Sequence, residues 1–145
     1  MSRLTETKRA YDKLIELLNQ EIRNRSGSTQ DLERFRQTLD VAFYLLGWGQ
    51  FEYLVRKEAE ERIEEKSRER TVDGVAWRQL LETVKGIPVR RRLDLIFHGN
   101  QAVLSSLHKE YTVRNEAAHD YKSLPSEAKD VSVWLKELED LVDKF

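Results

Sequence analysis

The chain contains no cysteine, which excludes a disulfide scaffold and Cys-ligated zinc and fits a reducing compartment. Its three histidines, His98, His108 and His119, show neither the His-x3-His nor the His-Glu-x2-His spacing, so no local metal site and no cofactor are expected. No long apolar run occurs. The nearest approach, residues 41–55, is 15 residues long and holds Gln50 and Glu52, short of the roughly 20 residues that a bilayer span needs. The N-terminus carries Arg3, Lys8 and Arg9 where a secretory signal would be apolar. Charge of one sign is missing as well: a net charge of -1 gives no global attraction for nucleic acid, so contact with RNA or DNA must come from local basic patches. These absences point to a soluble, cytoplasmic protein with no membrane partner.

What is present favours helices. Glu, Lys, Arg, Leu and Ala dominate, while two prolines and six glycines leave few breakers. A length of 145 residues suits one core, so residues 1–145 are read as one all-α domain, a bundle of five to six helices with a long second helix.

Apolar residues recur at helical spacing over residues 4–25, and the run from Ser26 to Thr29 interrupts them, with Ser28 or Thr29 as the next N-cap. The second helix should cover residues 31–66. Leu32, Phe35, Leu39, Ala42, Leu46, Gly49 and Tyr53 form one stripe on it, and Val41, Leu45, Trp48 and Val55 a second. One partner helix cannot cover both; either several helices wrap this middle or another subunit does. Gly47 and Gly49 allow close backbone approach or a local kink. Glu52 is a carboxylate in this apolar stretch and calls for a partner. Beyond Val55 the helix is mostly charged, with Glu58 to Arg62 and Glu64 to Arg68 in the favourable i, i+4 order, and reads as a solvated end projecting beyond the core.

A short third helix opens at Asp73-Gly74 with Trp77, Leu80, Leu81 and Val84 as its buried face, and ends at Gly86. After Pro88 a fourth helix turns Val89, Leu93, Ile96 and Phe97 inward. It carries Arg90, Arg91 and Arg92, which are either phosphate contacts for RNA or a solubilising cluster. Asn100 caps a fifth helix that ends by residues 123–126, and a sixth presents Val131, Trp134, Leu135, Leu138, Leu141, Val142 and Phe145 on one side.

The fifth helix holds the only cluster that suggests chemistry. Arg114, Asn115, His119 and Tyr121 lie within eight positions and supply a fixed cation, an amide, an imidazole and a phenol. Leu104, Leu107, Tyr111, Arg114, Ala118 and Tyr121 fall on the line expected to face the core, beside a polar line of His108, Thr112, Asn115 and His119. Arg114 and His119 are about 140° apart around an ideal helix. Cooperation between them then requires the helix to end or distort near His119, or two copies of the chain.

Arg114-Asn115-Glu116-Ala117-Ala118-His119 resembles the Arg-x4-His signature of HEPN-domain ribonucleases, and the extension through Asp120 to Tyr121 is similar to the Arg-x4-His-x-Tyr form of HepT-like toxins. Phe51-Glu52-Tyr53-Leu54 is similar to other branches of that superfamily. The resemblance implies an all-α bundle and metal-independent RNA cleavage at a homodimer cleft to which both chains bring the motif, in a toxin or antiphage effector. His119 would take the proton of a ribose 2'-hydroxyl and return it as an acid. Arg114 would stabilise charge on the phosphate, with Asn115 orienting His119 or touching the phosphate. Tyr121 matches the position that a partner nucleotidyltransferase adenylylates to silence such toxins, so an antitoxin of that kind is an expected partner. Glu52, a charge in an apolar stripe like Arg114, is expected to meet it. Two other readings stay open: a HEPN module that only binds a protein, nucleotide or RNA, and a helical oligomerisation domain in which Arg114 and His119 are structural.

Overall fold

The computed structural model describes residues 2–25 and 27–145; Ser26, where the interruption after the first helix begins, lies outside them. The described residues form six α-helices and no strand, which is the expected all-α class: α1 Arg3–Asn24, α2 Gln30–Ser67, α3 Val72–Glu82, α4 Val89–Phe97, α5 Gln101–Asp120 and α6 Val131–Val142, with a 3-10 turn at Val84–Gly86. Side chains at several helix starts accept otherwise orphan N–H groups: Ser2 from Thr5, Thr71 from Gly74, Asn100 from Val103 and Asp130 from Val133. Before α2, Ser28 accepts from the Gln30 N–H at 3.4 Å, whereas the Thr29 hydroxyl turns to the Glu33 carboxylate.

The contacts gather the chain into two compact units. The first holds residues up to Phe51 together with Lys109–Lys144, the second Glu52–His108 with Phe145. In the first unit α1 is tied to α2 by Tyr11 Oη donating to Asp40 at 2.6 Å and the Thr7 hydroxyl donating to Gln50 at 2.9 Å. It is tied to α6 by Ser132 donating to Asp12 at 2.6 Å and by a bond from Thr5 to Glu139. Burial pushes the Asp12 carboxyl up, but hydrogen bonds from Lys8 and Ser132 outweigh it and hold the group below its ordinary range.

The centre of this unit is aromatic. The Trp134 ring stacks on Tyr44 at 5.7 Å and on Trp48 at 5.8 Å, and all three side chains are buried. Each such pair adds about 0.5–1.5 kcal/mol beyond the area it buries. The stacking leaves both indole N–H groups buried without a partner, a desolvation cost of roughly 1–3 kcal/mol each. Helix α2 runs unbroken through its two glycines. A Cβ on Gly47 would collide with the buried Leu135 methyl of α6, while one on Gly49 would meet open space. Gly47 is therefore the point where α2 and α6 approach closely.

Of the two stripes on α2 the second is the inner one, with Val41, Trp48 and Val55 buried and Leu45 half-buried; in the first, Leu32 is buried, but Phe35 is 58% and Leu46 47% exposed and Ala42, Gly49 and Tyr53 also face solvent. Within the first unit α1, α5 and α6 occupy the other sides of α2, and its outer stripe stays uncovered.

In the second unit the charged half of α2 is not a projecting end, contrary to the sequence expectation. Val55, Ala59, Ile63 and Ser67 form a buried line at four-residue spacing, and the charged residues around it form the expected pairs, Arg62 with Glu58 at 2.7 Å and Arg68 with Glu64 at 2.9 Å. Arg78 of α3 donates to the Ser67 and Glu69 carbonyls, which closes the end of α2. Gly74 is required there, because a Cβ would strike the Glu69 carbonyl. The four expected apolar residues of α4 are buried, but the expected buried face of α3 is not: Leu80 is 37% exposed and Trp77, Leu81 and Val84 are half-buried.

The two glycines of α2 give opposite expectations. Gly47→Ala lowers stability by about 1–3 kcal/mol through overpacking against Leu135. Gly49→Ala raises it by roughly 0.5–1 kcal/mol through helix propensity. Urea unfolding followed by circular dichroism measures both.

Candidate active site on helix α5

The buried line of α5 in the first unit is Glu110, Val113 and Ala117, not Tyr111, Arg114 and Ala118. Leu104 and Leu107, at the start of the expected line, are buried as expected, so the inward line departs by one residue step, about 100°, from the one that the apolar pattern suggested only from Glu110 onward. Glu110, only 2% exposed, is the reason: its carboxylate accepts from the Tyr44 hydroxyl at 2.9 Å. Burial, followed by the charge and hydrogen bond of Glu110, pushes the Tyr44 phenol well above its ordinary range. Tyr11, buried beside Asp40, is pushed up for the same reasons. Sequence reading missed the Tyr44–Glu110 pair. The available signal was a phenol in the apolar middle of α2, which must find a partner once buried.

This rotation places Arg114 at the edge of the core, half-buried rather than inside it. Its Nη1 donates to the neighbouring Asn115 Oδ1 at 2.9 Å, so the amide oxygen faces the guanidinium. His119 is exposed in the last turn and has no hydrogen-bond partner among the described residues. Helix α5 ends one residue later, at Asp120. Tyr121 follows with φ 56°, its N–H donating to the Ala117 carbonyl at 3.0 Å and its side chain 66% exposed. That left-handed conformation closes a helix well but normally falls to glycine, because a Cβ there costs on the order of 1–2 kcal/mol.

The structure brings Arg114 and Asn115 together and leaves His119 and Tyr121 as separate exposed groups at the helix end. Neither Glu52 nor Arg114, the two charges expected to pair, carries an ion pair among the described residues; Glu52 is half-buried and belongs to the second unit. The three arginines of α4 divide. Arg90 and Arg91 are exposed, Arg91 only loosely paired with Asp94 at 3.7 Å. Arg92, expected with them as a phosphate contact, is instead buried and donates to the Val84 and Lys85 carbonyls, where it braces the 3-10 turn.

No group of His, Asp and Glu suited to hold a metal occurs among the described residues, and none of their helices is long and apolar enough to cross a membrane. Comparison with protein-family models, curated proteins and solved structures finds no match to this chain.

The buried phenols set the alkaline limit of stability. A phenol whose pKa is raised on folding favours the folded state below the unfolded value near 10, and that contribution is lost as pH rises above it. Stability should therefore fall above about pH 10, and Tyr44→Phe should weaken this dependence. At neutral pH the same substitution leaves Glu110 buried without its donor and costs about 1–3 kcal/mol. Unfolding curves from pH 7 to 11 measure both effects.

Proposed function

We propose that the chain is a metal-independent RNA endonuclease of the HEPN type, working in the cytoplasm as a toxin or antiphage effector. The observation that carries this reading is the arrangement on α5: a guanidinium–amide pair at the core edge and an exposed, unpartnered imidazole one turn further on, where the helix stops. His119 removes the 2'-hydroxyl proton and returns it to the leaving oxygen. Arg114 binds the phosphate as negative charge builds on it, with Asn115 holding the guanidinium in place.

Arg114 and His119 project about 140° apart on one helix, which supports a site completed by a second copy of the chain, each bringing its own motif. Arg90 and Arg91 supply exposed positive charge for RNA phosphates. Tyr121 fits a regulatory role. An exposed tyrosine held where glycine would be less strained presents its hydroxyl to a modifying partner such as a nucleotidyltransferase, and adenylylation there blocks the site by bulk and charge.

Purified protein should cleave RNA in excess EDTA, and His119→Ala or Arg114→Ala should each lower the rate by about 10²-fold or more. Cleavage that requires divalent metal, or that survives both substitutions, overturns the reading. RNA retention without cleavage would identify a binding module instead, and light scattering tests the dimer.

A further inference from the structure

The outer face of α2 in the first unit is apolar and uncovered. Phe35, Leu39, Ala42, Leu46 and Gly49 follow one another along it at alternating spacings of four and three residues, and no charged residue occurs between Asp40 and Glu52. Leu39 is half-buried and the other four are exposed. Such alternation is the seam of a helix that packs along another helix. No other helix among the described residues exposes an apolar line of this length.

Gly49 is the second observation. A Cβ there would meet open space, so nothing within the chain requires glycine as Leu135 does at Gly47, yet a glycine in mid-helix costs about 1 kcal/mol relative to alanine. On an exposed seam, such a glycine suits close approach of an outside group to the helix backbone. The seam itself supplies that group. In a second copy running antiparallel, related by a two-fold axis at the level of residue 44, Leu46 falls opposite Ala42 of the partner subunit and Leu39 opposite Gly49 of the partner subunit, and the same contacts recur in reverse. Each leucine then meets a small residue. A parallel pairing would set leucine on leucine and glycine on glycine, crowding some layers and leaving voids in others. Phe43 and Leu45, half-buried on the two flanks of the seam, fall beside the axis and widen the apolar contact.

We propose that a second copy of the chain docks on this face, the two α2 helices packing antiparallel in that register. Ala42 and Leu46 point about 160° away from Tyr44, which meets Glu110 of α5, so the contact does not use the α5 motif and stands apart from the reading proposed for it. So short a seam gives a weak association, with a Kd on the order of 10–100 µM.

Sedimentation velocity of the full chain, from about one tenth to ten times that Kd, should show the association. Leu46→Glu, at an exposed position, should weaken it at least about 10-fold with circular dichroism and melting in dilute solution preserved. Gly49→Ala should weaken it at least about 3-fold while stabilising the single chain. Because the chain has no cysteine, introduced thiols report the register: Ala42→Cys mixed with Leu46→Cys under oxidised glutathione should yield the mixed disulfide dimer in at least about 5-fold excess over either homodimer. None of these measurements involves RNA, so loss of the ribonuclease reading leaves their outcome intact. A chain that stays unassociated over that range, an association that Leu46→Glu leaves unchanged or that Gly49→Ala leaves unchanged or strengthens, or an excess of either disulfide homodimer would each overturn the proposal.

Discussion

A carboxylate buried with a phenol for its partner sets the orientation of helix α5. Glu110 is almost fully removed from water, and a group of that kind is stable inside a protein only when donors meet it; the Tyr44 hydroxyl does so from α2. Because Glu110 must face Tyr44, Val113 and Ala117 follow it inward and Arg114 is carried to the core edge. Tyr44 is itself fixed by stacking on Trp134, and Trp134 by Trp48, whose helix comes close to α6 at Gly47. The positions of the candidate catalytic groups therefore rest on an aromatic centre to which none of them belongs.

That dependence bears on the chemistry. A guanidinium deep in the core would be an ion-pairing element with no access to substrate, whereas one at the edge, with an amide beside it, can meet a phosphate and still be held in place. The exposed imidazole lies at a helix terminus, where the chain departs in the left-handed turn of Tyr121. Helix geometry separates the two groups by about 140°, which is why the proposed site calls on a second copy of the chain.

In the second unit the three consecutive arginines of α4 show how one sequence feature can serve different ends. Neighbours on a helix point about 100° apart, so a run of three must distribute itself between core and solvent. Arg92 faces inward and braces the 3-10 turn, and Arg90 and Arg91 remain outside. The same part of the chain leaves α3 with its apolar residues only partly covered, which opens a cleft beside Arg92.

The sequence by itself determined the all-α class, the order of the six helices, the Asn100 cap and the ion pairs at Glu58–Arg62 and Glu64–Arg68. All of these depend on spacing along one helix or on residues within a turn of each other, so they are written locally. The inward faces of α2 and α5 were not. Both helices carry more than one apolar line, and periodicity alone does not say which line a partner will cover. Only the tertiary structure decided that the Phe35–Leu46 stripe stays outside, that Glu110 rather than Arg114 is the buried charge, and that Arg92 is separated from its neighbours. Each choice depends on a hydroxyl, a ring or a carbonyl contributed from elsewhere in the chain, and no local pattern specifies such a partner.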